Sequence, residues 1–334
     1  MILRQFASNQ PFVLGAAPAV VVAMLLPAAW TAGLPVYQAE FPADDLFGWI
    51  YQSKTATIAI AMILIIMGSL LSNSIFNKHE FYNVPSFVLS LVYAGIGSAM
   101  CLYQCSLPAL LSALFILIGL DRQLRVFRQT RVLSEYFECG FWYGMAAMFF
   151  PPFLALAAGM WISILFTRAF SFRENILPLL AFSVPFLYWL VWKYWNNELN
   201  DLVLFRRIFS FDSESVIANL TWPEMTFFIL AGVTFVMALP RYLFLADRSS
   251  NKARSVKTVF TIMAVSMILS FGLSYVLVQK MIVLTTLIPL TFIAGYWFTN
   301  YRYSLAAPLV FYLLAGAIVI MAMAHYGVIH VAMH

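Results

Sequence analysis

Residues 55–76 read TATIAIAMILIIMGSLLSNSIF, a run of 22 residues without a charged side chain. An α-helix needs roughly 20 such residues to cross the hydrocarbon core of a bilayer. The whole chain shares this character, since 63% of its 334 residues are hydrophobic, 10% are charged and its mean hydropathy is +0.87. One soluble core cannot bury so much apolar side chain. The sequence therefore predicts an all-α transmembrane helix bundle that forms a single integral membrane domain over residues 1–334.

Apolar runs separated by polar, proline or glycine residues predict about eleven membrane-spanning helices. Most runs are long enough for a bilayer, but those at 107–120 and 137–150 are short. We expect these two to be tilted, to extend into the charged loop beside them, or not to span fully. The predicted spans are 12–32, 55–76, 85–103, 107–120, 137–150, 152–168, 176–195, 224–246, 258–279, 281–299 and 304–325.

Basic residues are distributed unequally between alternate connections of the predicted bundle. With a cytoplasmic N-terminus, 14 of the 19 Lys and Arg residues fall inside and the other 5 fall outside. The densest clusters, at 121–131 and 248–257, both fall inside. Because cytoplasmic loops of membrane proteins carry an excess of Lys and Arg, this bias predicts a cytoplasmic N-terminus and an outer C-terminus.

Two outer connections, residues 33–54 and 196–223, are longer than the others. Eight of the 14 acidic residues lie in or beside these two loops. Both loops are also partly apolar, which is typical of short helices that lie at a membrane interface. We therefore expect catalytic and substrate-binding residues in these two loops.

The segment from Ser106 to Trp195 has a recognisable order of motifs. In order they are Leu107-Pro108 at a helix start, an arginine-rich loop, Cys139-Gly140 and Gly144–Ala147 in a helix of small residues, Pro151-Pro152, and RAFSFRE at 168–174 before a helix with Pro178 and Pro185. This order resembles an uncharacterised family of polytopic inner-membrane proteins from Bacteroidota, whose members show a similar R-x-F-x-x-R-E segment. The resemblance implies a bacterial inner-membrane location and carries no activity with it.

The overall plan also resembles the GT-C class of membrane glycosyltransferases, which take sugars from polyprenyl-phosphate donors. That class has many spans, a cytoplasmic N-terminus, a first outer loop with a catalytic Asp or Glu, and a second long outer loop between spans seven and eight. The predicted plan is similar in all four respects, although its first outer loop is shorter than usual. The resemblance implies a transferase of cell-envelope glycan assembly that acts at the outer face of the inner membrane.

Asp44 and Asp45, within FPADDLFGWIY at 41–51, are the predicted catalytic residues. At the bilayer edge, such an acid can remove a proton from an acceptor hydroxyl or hold a divalent cation, Mg²⁺ or Mn²⁺, against a donor phosphate. The alternative interpretation is structural, with one of the pair acting as the N-cap of the amphipathic run that follows. Glu40 is a weaker candidate of the same kind, assigned to substrate binding.

Three basic residues are predicted to meet the phosphate of the substrate. Arg206 and Arg207 are the only adjacent basic pair expected outside, and a guanidinium fork suits bidentate contact with phosphate. Their alternative role is snorkelling of an interfacial helix towards lipid phosphates. Lys193, beside Trp192 and Trp195, is a further phosphate candidate or an anchor in the aromatic belt.

Other marked features have structural interpretations. The three cysteines lie in or beside apolar segments, where Cys behaves as a small hydrophobe, and they predict no disulfide framework. Gly140 and Gly144 predict close helix packing. Four arginines at every third position form a basic stripe that we assign to the inner leaflet and its anionic lipids. They are Arg122, Arg125, Arg128 and Arg131.

The competing function is a non-catalytic membrane subunit, or a lipid-linked carrier or transporter, of an envelope-assembly complex. Ion-coupled transport is disfavoured because no ionisable residue is predicted well inside a span. The expected partners are membrane lipids, a polyprenyl-phosphate-linked donor and envelope-assembly proteins, without nucleic acid.

Overall fold

The computed structural model is all-helical over the residues that it describes. These are 12–31, 33–36, 44–79, 81, 86–126, 132–167, 171–196, 221–244, 251–278, 283–299 and 306–327. Within these ranges the backbone forms no strand, and an isolated bridge joins Val36 to Cys105. The predicted all-α class is therefore confirmed.

Twelve α-helices occur within these ranges. They are α1 Phe12–Leu25, α2 Asp44–Tyr51, α3 Lys54–Lys78, α4 Val88–Tyr103, α5 Leu107–Arg125, α6 Leu133–Phe149, α7 Ala155–Thr167, α8 Phe172–Trp195, α9 Trp222–Phe244, α10 Asn251–Val278, α11 Leu287–Thr299 and α12 Ala306–His325. Short 3₁₀ turns follow α1 at Leu26–Ala29 and precede α7 and α11 at Pro151–Leu154 and Val283–Thr286.

Six of the described helices are long and apolar enough to cross a membrane. They are α3, α5, α8, α12 and the segments Trp222–Leu243 of α9 and Arg254–Leu273 of α10. The apolar helices α1, α4, α7 and α11 are shorter, even when the adjoining 3₁₀ turns are counted. Each of the eleven predicted spans overlaps a helix, but only these six reach the length of a crossing, so the count of eleven stays a prediction.

Helix boundaries at the charged connections differ from those predicted. Helix α5 continues to Arg125 instead of ending near residue 120, and α6 begins at Leu133 instead of 137. The two short predicted spans thus extend into the charged loop between them. Helix α10 begins at Asn251, so Lys257, which was predicted to lie in a loop, is on a helix. The apolar pattern of a sequence predicts only the buried part of a helix. The helix extends beyond that part where charged side chains in the adjoining turn form ion pairs.

Helix α4 is the centre of the bundle. It packs against α1, α3, α11 and α12, and 14 of its 16 residues are buried. A helix that is apolar on every side needs neighbours on every side, so α4 and the equally buried α11 are enclosed by the longer helices. By contrast, α8 and α9 expose Leu, Val and aromatic side chains along much of their length, as lipid-facing helices do.

Helices α6 and α8 approach each other closely at two glycines. A Cβ added to Gly140 would collide with the carbonyl oxygen of Pro178, and one added to Gly144 would collide with that of Phe182. Both obstacles are backbone, which cannot rotate away as a side chain can. The predicted role of these glycines in close packing is confirmed, and it follows the small-residue rule of membrane helix pairs.

Contacts at one end of the bundle gather around α2, and we call this the loop end. Two of them are ring contacts, Phe47 with Phe149 at a centroid distance of 6.5 Å and Tyr103 with Phe228 at 5.0 Å. The other two are hydrogen bonds. The backbone N–H of Leu107 donates to the hydroxyl oxygen of Tyr51 at 3.3 Å, and His325 Nε2 lies 3.0 Å from the carbonyl oxygen of Gly33. The ends of α2, α4, α6 and α12 and the starts of α5 and α9 therefore meet there.

The opposite end collects basic residues, and we call it the basic end. Lys78 at the end of α3 contacts Asp121 near the end of α5. The aromatic rings of Phe81 and Phe260 meet edge to face with centroids 5.6 Å apart, which brings α10 to the same end. Lys257 lies one turn before Phe260 on α10.

Replacing Gly144 with Ala tests the α6–α8 contact. The added methyl meets backbone, so we expect a loss of about 1–3 kcal/mol, the usual cost of overpacking. A lower melting temperature of the purified protein in detergent is the measurement. The control is Gly316→Ala in α12, where an added Cβ has no atom within 4 Å. Equal melting temperatures for the two variants would contradict the assigned contact.

Candidate functional site

Helix α2 carries the predicted catalytic pair at its first two positions. It begins at Asp44, so Asp44 and Asp45 form the start of its first turn. The structure describes the α2 backbone from Asp44 and its side chains from Phe47, so the two carboxylates lie outside the described side chains. The backbone position suits either an acid at the membrane interface or a favourable charge at a helix N-terminus.

The rest of α2 is fixed to the bundle by aromatic residues. Phe47 contacts Phe149 of α6, and the hydroxyl of Tyr51 accepts the backbone N–H of Leu107 at the start of α5. The hydroxyl of Thr57 donates to the carbonyl oxygen of Ile50 at 3.1 Å. Trp49 points away, with 69% of its surface exposed. Helix α2 is thus an amphipathic helix that is held on one face and exposed on the other.

Of the other predicted site residues, Lys193 is the one that the structure describes. Glu40, Arg206 and Arg207 lie outside the described residues. Lys193 lies in the last turn of α8 between the exposed rings of Trp192 and Tyr194, as an aromatic-belt anchor would. Helix α8 packs against α6 and α7, whereas α2 packs against α3 and α5.

Sequence reasoning missed a charged cluster at the basic end. The Asp121 carboxylate accepts hydrogen bonds from Lys78 Nζ at 2.9 and 3.2 Å and from the guanidinium of Arg125, and it lies 2.9 Å from His79 Nε2. His79 is buried, and only 13% of the Asp121 side chain is exposed. One carboxylate thus joins the ends of α3 and α5.

A second ion pair joins α5 to α6. The Nε of Arg122 lies 3.0 Å from a carboxylate oxygen of Glu138, and its Nη1 lies 3.8 Å from Glu135. Both guanidinium groups thus pair with carboxylates of this chain, and the inner-leaflet assignment of Arg122 and Arg125 stays a prediction. Arg128 and Arg131 lie outside the described residues. The four-residue spacing of Asp121 and Arg125 was the only signal for these pairs in the sequence.

A network of hydrogen bonds between uncharged side chains lies next to these ion pairs, on the side of α5 that faces the bundle. The hydroxyl of Tyr143 donates to the Gln123 side-chain oxygen at 2.7 Å, and the Gln123 amide donates to the Ser163 hydroxyl. All three side chains are buried, so each needs its partner. The network ties α5 to α6 and α7.

The arrangement at the basic end is suited to joining helices. Asp121, Glu135 and Glu138 each lie within ion-pair distance of at least one cation, so these carboxylates link α5 to α3 and to α6. Within the described ranges, no group of three or more His, Cys, Asp or Glu residues could hold a metal ion, and Cys101, Cys105 and Cys139 are buried free thiols.

Comparisons with protein-family models, curated proteins and solved structures found no match to this chain. The likenesses to the Bacteroidota family and to the GT-C class therefore stay predictions.

Replacing Asp121 with Asn tests the cluster at the basic end. Three basic side chains then face each other without their shared carboxylate, and we expect about 2–4 kcal/mol less stability. The control is Glu138→Gln, because the Glu138 side chain is more exposed than that of Asp121, and we expect it to cost less. Melting temperatures at low and high salt measure both. An Asp121→Asn variant that is as stable as Glu138→Gln would contradict the assigned role.

Proposed function

We propose that the protein is a GT-C-like membrane glycosyltransferase. It transfers a sugar from a polyprenyl-phosphate donor at the outer face of the bacterial inner membrane, during assembly of a cell-envelope glycan. The observation that carries the proposal is α2, a short helix that begins with two adjacent acids and is packed on the loop end of an apolar bundle. A lipid-linked donor presents its phosphate at the membrane surface, which is where the proposed topology has α2.

The topology that the proposal requires has eleven crossings, a cytoplasmic N-terminus and both long loops outside. In support, α2 and the start of α9 belong to the loop end, whereas Lys78 and Asp121 belong to the basic end. The loops that follow α1 and precede α9 then share one side. The basic end faces the cytoplasm, in agreement with the excess of Lys and Arg there.

The chemistry assigned to Asp44 and Asp45 is proton removal at the acceptor. An acceptor hydroxyl that attacks the anomeric carbon of the sugar forms a new glycosidic bond, and the polyprenyl phosphate leaves with the electron pair of the broken C–O bond. The hydroxyl must lose its proton to a nearby base, which typically contributes about 100-fold or more in rate. One carboxylate serves as this base. The second would hold a divalent cation, Mg²⁺ or Mn²⁺, which would neutralise charge on the donor phosphate.

The remaining predicted residues are assigned to the donor phosphate. Arg206 and Arg207 stand outside against the charge bias, and this placement is favourable where an anion meets them. Lys193 and Glu40 complete the substrate-binding set, Lys193 near the lipid surface and Glu40 beside the acid pair.

One observation favours the alternative, a non-catalytic subunit of an envelope-assembly complex. Aromatic side chains fill the bundle next to α4, where the rings of Phe76, Phe81, Phe260 and Phe292 lie with centroids 4.7–6.1 Å apart. A filled interior is what a structural subunit needs. Helix α2 lies outside this filled region, at the loop end.

The topology is tested with single cysteines at Gln38, Glu198 and Ser250. The three native cysteines are fully buried, so their labelling background is low. In intact spheroplasts we expect a membrane-impermeant maleimide to label Gln38→Cys and Glu198→Cys, and to label Ser250→Cys only after lysis. Equal labelling of Gln38→Cys and Ser250→Cys in intact cells would overturn the topology.

Asparagine variants at Asp44 and Asp45 test the chemistry. Asn keeps the size and the polar group of Asp in the first turn of α2, so the exchange removes the charge alone. In assays with a panel of polyprenyl-phosphate sugars, we expect kcat to fall by about 100-fold or more in at least one single variant, with the fold intact. Full activity in both single variants and the double variant would leave the pair a structural role at the start of α2.

Two further variants sharpen that experiment. Glu224→Gln is the matched control, since Glu224 also lies at the loop end and accepts the backbone N–H of Thr221 at 2.8 Å as a helix cap. We expect its activity to be unchanged.

The double variant Arg206→Gln/Arg207→Gln should raise KM for the donor more than it lowers kcat, which separates donor binding from proton transfer.

A further inference from the structure

A buried lysine at the basic end forms no ion pair with a carboxylate among the described residues. Lys257 lies in the second turn of α10 and is 6% exposed. Its Nζ donates to the hydroxyl oxygen of Tyr296 on α11 at 2.9 Å and lies 4.6 Å from the centroid of the same ring. The polar partners in contact with it are therefore a neutral hydroxyl and a π face.

The acidic residues of the described ranges do not compensate this charge. The five ion pairs found there involve Lys78, His79, Arg122 and Arg125, and none includes Lys257. A cation taken out of water is costly unless an anion meets it, and an ionisable residue within a membrane helix marks a functional site by default. Lys257 is thus a cation whose counter-charge is not among its described neighbours.

The surroundings hold the lysine in place. Tyr242 of α9 donates its hydroxyl to the carbonyl oxygen of Lys257 at 3.0 Å, and Thr261 donates to the same oxygen at 2.7 Å. The rings of Tyr242 and Tyr296 lie edge to face with centroids 5.4 Å apart. Helix α9 therefore holds the backbone of this turn and α11 contacts the ammonium group, which has two N–H donors beyond the one used by Tyr296.

We propose that Lys257, with Tyr296, forms an anion site that binds a phosphate group, either the headgroup of an anionic lipid or free phosphate. The phosphate supplies the missing negative charge and accepts the two remaining N–H donors. Arg254 lies one turn earlier on the same helix and is exposed, so it adds positive charge at this end of the bundle. The site lies at the opposite end of the bundle from α2 and does not depend on the transferase proposal.

The test compares the purified protein in three settings. It is measured in nanodiscs of phosphatidylcholine alone, in nanodiscs that also contain phosphatidylglycerol, and in detergent with added inorganic phosphate. The readouts are the melting temperature and, by native mass spectrometry, the number of retained phosphatidylglycerol molecules. The test variants are Lys257→Met, which keeps most of the apolar stem, and Tyr296→Phe. The control is Arg254→Gln, which removes an exposed cation from the same helix.

We expect phosphatidylglycerol or inorganic phosphate to raise the melting temperature of the wild type and of Arg254→Gln. In Lys257→Met this increment should be lost and the affinity for the anion should fall by about ten-fold or more. Without the anion, Lys257→Met should be at least as stable as the wild type, because an unpaired buried charge is gone. Tyr296→Phe should weaken the increment and keep the fold.

Each outcome either identifies the source of the phosphate or contradicts the proposal. An increment with phosphatidylglycerol and none with inorganic phosphate identifies a lipid headgroup, and the reverse identifies free phosphate. An increment with both identifies a site that accepts either source. A full increment in Lys257→Met, its loss in Arg254→Gln alone, or no increment in the wild type would overturn the proposal.

Discussion

In a bilayer, every backbone N–H and C=O group must find its partner within the protein, because lipid offers none. The architecture depends on this constraint. A chain that is 63% hydrophobic meets it by forming helices, and the isolated bridge between Val36 and Cys105 lies in connections outside the long helices. Charged side chains cannot be buried as readily as the serines and threonines within the helices. Those of the described residues lie within the first or last two turns of their helices, and the two ends of the bundle differ in charge and in structure.

Packing of helix against helix decides which segments meet. Apolar side chains gain little by leaving lipid for protein, so close backbone approach and buried polar contacts do much of the work. Gly140 and Gly144 let α8 approach α6, and Gln123 ties α5 to both α6 and α7 through Tyr143 and Ser163. These contacts hold α5 and α6 steady, and α2 rests on their loop ends through Phe47 and Tyr51.

The fold class and the approximate helix positions could be predicted from the sequence, because hydrophobic runs report burial directly. The partners of charged residues could not. Lys78 and Asp121 are 43 positions apart, and no local pattern indicates that α3 and α5 end side by side. Lys257 was predicted to lie in a loop because its helix begins with the polar residues after Asn251, whereas tertiary packing decides where that helix starts. The acid pair at Asp44 was visible because both residues are adjacent in sequence.

Asp121 and Lys257 both lie at the basic end, but they differ in their partners, and this difference indicates a function for Lys257. Around Asp121, each described carboxylate is matched by nearby cations, so those charges join helices and are largely neutralised. Lys257 lies at the same end, where Phe260 of its helix contacts Phe81, yet among the described residues its ammonium group contacts a tyrosine and no acid. If burial alone governed this region, an apolar residue would serve better at position 257, because it would avoid the cost of desolvating a cation. The ammonium group is therefore best explained by an anion that it binds, and an end that faces phosphate-bearing lipid provides one.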